Sequence, residues 1–258
     1  MEFTLINALG DSLHATPVFR ELHRRLPDEN LRVFEPQKPE IFKYNPNLNR
    51  GNHENGVRMY LNPPSTYTRV VDSYAAQITA KLQLDPPLVV ADATPELFLT
   101  EAERAEFAAF GDPKTLAINA HAHSSVRRWP YFAELSKLAM RAGRRVYHVG
   151  SGDHDDVPCT RSFQGQLTIR QSAALLANVS RVACNDTGIM HLAAAVGTTH
   201  VVPFGYVLTA RPYLTTRAVG FNLPHESPRC NQEHCAMSSR CAKLDKIHVR
   251  QVFSEVVR

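Results

Sequence analysis

The sequence predicts an α/β protein with parallel sheets covered by helices on both faces. Two observations carry this. Segments of strand character alternate with segments of helical periodicity in both halves of the chain. Residues 182–205, VACNDTGIMHLAAAVGTTHVVPFG, also read as a complete strand–turn–helix–strand unit.

The first half runs from Met1 to about Thr94. Phe3–Leu9 predicts a strand, and Gly10–Asp11 turns it into an amphipathic helix. Ala15, Val18, Phe19, Leu22 and Leu26 recur there at helical spacing. Pro17 fits a first turn, so the helix is expected to start between Asp11 and Thr16. Leu31–Phe34 predicts the next strand. Residues 35–66 are rich in Asn and Pro, with NPNLNRGNHENG and LNPPS, and predict a long loop with little regular structure. A helix over 68–82 and a strand over 88–90 close this half.

The second half predicts a strand over 116–119, the polar loop HAHSSVRR, a helix over 130–142 and a strand over 145–149. The loop GSGDHDDVPC and a helix over 169–177 lead into the 182–205 unit. There the strand ends at Asn185–Asp186. Thr187–Gly188 opens a small-residue helix that stops at Gly197, and 199–204 is the next strand. This unit aims backbone N–H groups and a positive helix terminus at the carboxyl edge of the sheet, which suits a diphosphate. Thr187 can add a hydroxyl donor, and Gly188 admits close approach of a ligand to the backbone. The plain alternative is an ordinary crossover with Asp186 or Thr187 as helix cap.

Composition narrows the classes. The chain has 258 residues, 43% hydrophobic and 21% charged, enough for one large or two modest globular domains. It holds no apolar run long enough to span a bilayer. MEFTLINALGDS lacks the basic region of a signal peptide and reads as a first strand, which predicts a cytoplasmic protein. The net charge of +4 is mild, and no aromatic ladder or nucleic-acid motif accompanies it. Arg20, His23, Arg24 and Arg25 on the first helix read as a solvated face. Their alternative, with Arg127, Arg128, Arg141, Arg144 and Arg145, is a site for an acidic or phosphorylated acceptor. Cys230, Cys235 and Cys241 form C-x4-C-x5-C near His225, His234 and His248. Paired C-x2-C spacing is missing, so a structural zinc site is only weakly signalled there and no metal ligands are assigned.

The string D-T-G-x-x-H-L-A-A-A-x-G, followed by an apolar strand and F-G, resembles the signature of glycosyltransferase family 9, which contains the ADP-heptose:lipopolysaccharide heptosyltransferases. Other segments resemble the family in the same order: 6–28, NPNLNR at 45–50, 69–84, 94–107, and RRWPYFAEL at 127–135. The resemblance implies two Rossmann-like domains facing across a cleft, the GT-B arrangement, with a shortened first domain. The expected division is 1–110 on the acceptor side and 111–258 for the nucleotide sugar.

The resemblance further implies transfer of a heptose-like sugar from a nucleotide-diphosphate donor, ADP-linked, without metal or other cofactor. The acceptor is a hydroxyl of a glycan, protein or small metabolite. Nucleic acid is not expected as a partner, and contact with a membrane surface is left open. Asp11 matches the family's proposed general base; its alternative role is helix cap. Arg127 stands where the family has lysine before Trp-Pro, and His123 where it has a small hydroxyl residue. The donor set is completed by Asp186, Thr187, Gly188, His191 and an acidic residue after Gly150, Asp153 or Asp155, for the ribose. Leu167 aligns with an apolar residue of the adenine pocket. Two further readings compete: a non-catalytic nucleotide-sugar-binding module, suggested by the short first domain and the Lys-to-Arg change, and an interaction protein using a metal in the cysteine loop.

Overall fold

The structure is a computed structural model and describes residues 1–5, 8–49, 58–62, 69–151, 157–203, 216–219 and 242–258. These fall into two compact units, Met1–Thr100 and the described residues from Glu101 on. The division lies earlier in the chain than the expected boundary at residue 110. Residues 101–110 pack with the second unit, where the Arg170 guanidinium makes two bonds of 2.6 Å to Glu103.

The first unit holds a three-stranded parallel sheet in the order β2-β1-β3, with β1 Glu2–Thr4, β2 Arg32–Phe34 and β3 Arg58–Tyr60. Helices α1 Leu9–Arg25 and α2 Val70–Leu82 pack on each other. Phe3, Leu5, Val18, Phe19, Leu22, Tyr74 and Ile78 form its core. The segment expected as an unstructured loop therefore contains a strand. Its signal was the short alternation of buried Met59 and Leu61 around exposed Tyr60.

The expected strand at 88–90 is corrected. Leu88 and Val90 are buried in the core, but they join no sheet. Pro86 and Pro87 withhold two N–H groups just before them, and the Leu88 N–H goes to the Thr79 hydroxyl at 2.9 Å.

Helix α1 also begins earlier than expected, with Ala8 at its N-cap and Asp11 inside the first turn. Pro17 lies within it and cannot bond the Leu13 carbonyl. The Thr16 hydroxyl takes that carbonyl at 2.7 Å and accepts the Glu96 N–H at 2.8 Å. Arg20 bonds Glu96 at 2.8 Å and the Asp92 carbonyl at 2.5 Å, and Arg24 pairs with Glu21 at 2.5 Å. Two arginines of the first basic cluster are thus held by acids and a carbonyl of the same chain.

The second unit is a six-stranded parallel sheet, β6-β5-β4-β7-β8-β9. Its strands are β4 Thr115–Asn119, β5 Arg145–His148, β6 Arg161–Ser162, β7 Arg181–Cys184, β8 His200–Pro203 and β9 Thr216–Val219. Its helices are α3 Glu101–Glu106, α4 Phe132–Arg141, α5 Ile169–Asn178, α6 Gly188–Ala195, α7 Ala242–Asp245 and α8 Val249–Val257. Leu116, Ile118, Val146, Ala183 and Val201 form one core with α4, α7 and α8. The alternate residues Ala117, Val182 and Val202 are also buried and face the other side, where α5 and α6 pack together. Both faces are covered, as the apolar strands require. The C-x4-C-x5-C loop and Asp153 lie outside the described residues.

Candidate active site

Residues 182–203 of this unit fold as the sequence suggests. Strand β7 ends at Cys184, and Asn185, Asp186 and Thr187 turn the chain at the carboxyl edge of the sheet into α6. Gly197 takes φ +81° just beyond the helix, a conformation glycine adopts without strain.

Asn185 is fully buried, with no side-chain surface left to solvent. Its side-chain oxygen accepts the Trp129 N–H at 2.9 Å, and its amide donates to the Ala120 carbonyl at 2.5 Å. The Trp129 indole donates to the Ile247 carbonyl at 3.0 Å. These bonds hold the turn after β7, the end of β4 and the Trp-Pro segment in one block.

That block places Arg127 beside Asp186, with Nη1 3.9 Å from Oδ2. Arg127 ends a short 3-10 turn, Ser125–Arg127, and keeps about a third of its side chain exposed, at 32%. Burial pushes the Asp186 carboxyl above its ordinary range, and the Arg127 charge pulls against that without cancelling it.

Thr187 is the N-cap residue of α6, yet its side chain caps nothing. Its hydroxyl donates to Asn119 Oδ1 at 2.8 Å, and Asn119 Nδ2 donates to the Val149 carbonyl at 3.0 Å. The hydroxyl expected as a ligand donor is therefore occupied inside the chain. Gly188 is the first residue of the helix, and His191 is half-buried within its first half. His123 is exposed in the loop between β4 and the 3-10 turn. The structure thus brings Arg127, Asp186, Thr187 and Gly188 together.

Asp11 belongs to the first unit. It lies in the first turn of α1, half-buried, and Ala8 rather than Asp11 is the N-cap. The capping role is corrected: the helix starts ahead of Asp11, so its carboxylate stands next to the positive helix terminus as a first-turn acid. One turn later His14 is buried, and burial lowers its pKa from 6.5 to about 4.

Sequence reasoning gave no role to Asn119, Asn185 or Gly150. Their signal was modest: a polar residue ending each of two apolar strands, and a glycine directly after a third. Among the described residues, no group of three His, Cys, Asp or Glu is placed to hold a metal ion. No helix among them is long and apolar enough to cross a membrane.

Solved structures share this fold. One is E. coli ADP-heptose LPS heptosyltransferase II, with a TM-score of 0.67 at 16% identity, over 98% of this chain and 96% of that one. E. coli heptosyltransferase WaaC with ADP-2-deoxy-2-fluoro heptose matches with a TM-score of 0.55 at 14% identity, over 84% of this chain and 92% of that one. TibC from enterotoxigenic E. coli H10407, described as a bacterial iron-containing dodecameric glycosyltransferase, matches with a TM-score of 0.67 at 14% identity, over 99% and 74%.

The class is that of glycosyltransferases, with the α/β GT-B fold and a reduced first unit. Residues 57–239 match the model of glycosyltransferase family 9 (heptosyltransferase), and the chain belongs to that family. No curated protein matches the chain.

Proposed function

We propose that this transferase moves a heptose-like sugar from an ADP-linked donor to a hydroxyl of a glycan, protein or small-molecule acceptor, in the cytoplasm and without a bound metal. The donor belongs to the second unit and the acceptor to the first. The observation that carries this reading is the start of α6, where a helix N-terminus at a parallel-sheet edge has its own cap side chain turned away.

Backbone N–H groups of that first turn bind the diphosphate, and Gly188 lets the phosphates approach them. Arg127 adds a cation as negative charge builds on the leaving group. Asp186 holds hydroxyls of the transferred sugar, with His191, His123 and Asp153 as further donor contacts. The acceptor oxygen attacks the anomeric carbon, the bond to the diphosphate oxygen breaks, and the acceptor proton passes to the Asp11 carboxylate.

Calorimetric titration with ADP, GDP, UDP and CDP tests the donor. ADP should bind tightest, Gly188→Val should abolish binding with the fold intact, and Arg127→Ala should weaken it less at high salt. ADP binding by Gly188→Val at wild-type strength would overturn the site. Hydrolysis of ADP-heptose with and without acceptor glycans then separates a catalyst from a binding module.

A further inference from the structure

Two helices of the second unit begin with threonine, and the two threonines behave differently. Thr168 caps α5 fully: its hydroxyl accepts the Gln171 N–H at 3.2 Å, and the Gln171 side chain accepts the Thr168 N–H at 3.2 Å. Thr187 has the extended backbone of an N-cap residue, φ −148° and ψ 176°, and makes no such bond. Capping is the ordinary state of a threonine at this position. Something must hold Thr187 away from it.

Asn119 does so, and its geometry leaves it one way to act. The Val149 carbonyl can only accept, so the Asn119 amide nitrogen must face it. The amide oxygen then faces Thr187, whose hydroxyl must donate. Asn119 is nearly fully buried, at the end of β4 between β5 and β7.

Gly150 makes room for this arrangement. A Cβ built there would lie 2.4 Å from Asn119 Nδ2, and its φ of +133° suits glycine alone. The first turn of α6 also carries no acidic side chain that could occupy its N–H groups.

We propose that Asn119 is a positioning residue: it holds the Thr187 hydroxyl off the first turn of α6, keeping the N–H groups of Gly188 and Ile189 for the donor diphosphate, while the Met190 N–H bonds the Thr187 carbonyl at 3.1 Å. This rests on the donor reading above. Without Asn119 the hydroxyl rotates onto the helix, accepts the Ile189 N–H, the capping donor that the Thr187 carbonyl leaves open, and competes with the ligand for it.

The test is a cycle of Asn119→Ala, Thr187→Val and the double variant, with two readouts. Calorimetry should give ADP binding about tenfold weaker for Asn119→Ala, the scale of one cap converted to affinity. The double variant should recover most of that loss, because the competing hydroxyl is gone. Without ligand, hydrogen exchange at the Ile189 amide should slow in Asn119→Ala and return to the wild-type rate in the double variant.

A purely structural role predicts the opposite order, with the double variant no better than Asn119→Ala. That result, or unchanged ADP binding by Asn119→Ala, overturns the proposal. If Asn119→Ala does not fold, Asn119→Ser, too short to reach Thr187, is read the same way. Should the wild-type protein bind no ADP, the donor reading fails, and the exchange comparison still decides where the Thr187 hydroxyl goes.

Discussion

The side-chain oxygen of Asn185 accepts the backbone N–H of Trp129 at 2.9 Å. It joins the two most distinctive stretches of the sequence, Trp129–Pro130 and Asp186–Thr187–Gly188, through one buried amide. Both partners lose a bond if that amide goes, and both are far from water. Asn185→Leu should therefore cost roughly 3 kcal/mol of stability. Denaturant unfolding measures this, and ADP affinity should fall with it because Arg127 is no longer held beside Asp186.

Asp11→Asn should cut turnover roughly 10²-fold, the ordinary contribution of a positioned base. As a first-turn acid Asp11 favours the helix terminus by only about 0.5 kcal/mol, so the melting temperature should hardly move. Donor affinity should also hold, since Asp11 belongs to the other unit. Wild-type turnover by this variant would remove Asp11 from the mechanism.

In the proposed site, Asp186 sets function against stability. Its pKa is raised by burial, so the folded chain favours the protonated carboxyl. The charge then works against folding as pH rises above its ordinary value of 3.8. Asp186→Asn should melt higher than wild type at pH 7 while losing turnover. The stability gain should vanish toward pH 3.8, where both side chains are neutral. Equal melting temperatures across this range would show the carboxylate to be well solvated.

His14 sets the acid limit of the first unit. Its folded pKa is about 4 against 6.5 for the free side chain. Between those values the unfolded chain binds a proton that the folded chain refuses, so stability falls as pH drops through the window. The full loss is about 3 kcal/mol. Burial moves His200 in the same direction. His14→Gln should flatten the profile of melting temperature against pH between 6.5 and 4.

Chelator-treated protein should keep its transferase activity, because in the proposed mechanism helix N–H groups and Arg127 supply the positive charge at the donor. Metal analysis of the purified chain is the check. Stoichiometric iron or zinc, with activity lost on removal and restored on return, would overturn metal independence and draw attention to Cys230, Cys235 and Cys241.

Where burial and periodicity agree, the fold was legible in the sequence. The run from Val182 through Gly197 to Pro203 was read nearly residue for residue, because small apolar residues, a turn and a glycine stop all favour one structure. The first unit was harder. Its strands are three residues long, so the alternation at Met59, Tyr60 and Leu61 is brief and β3 hid among asparagines. Leu88–Val90 has strand composition but pairs with no strand among the described residues, and its first N–H goes to a side chain. In the site, Arg127, Asp186 and Gly188 stood out by residue type. Asn119 and Asn185 did not, because their roles depend on partners 68 and 56 positions away in the chain.

A proline in mid-helix is ordinarily counted as a break, and Pro17 acts in α1 as a fastening. By offering no N–H it leaves the Leu13 carbonyl to Thr16, whose oxygen still has lone pairs for the N–H of Glu96, 80 residues further on. The missing rung of the helix reappears as a crosslink between the first helix and the last stretch of the same unit. Replacing Pro17 with alanine should complete the helix and release that stretch, giving a better helix in a looser unit.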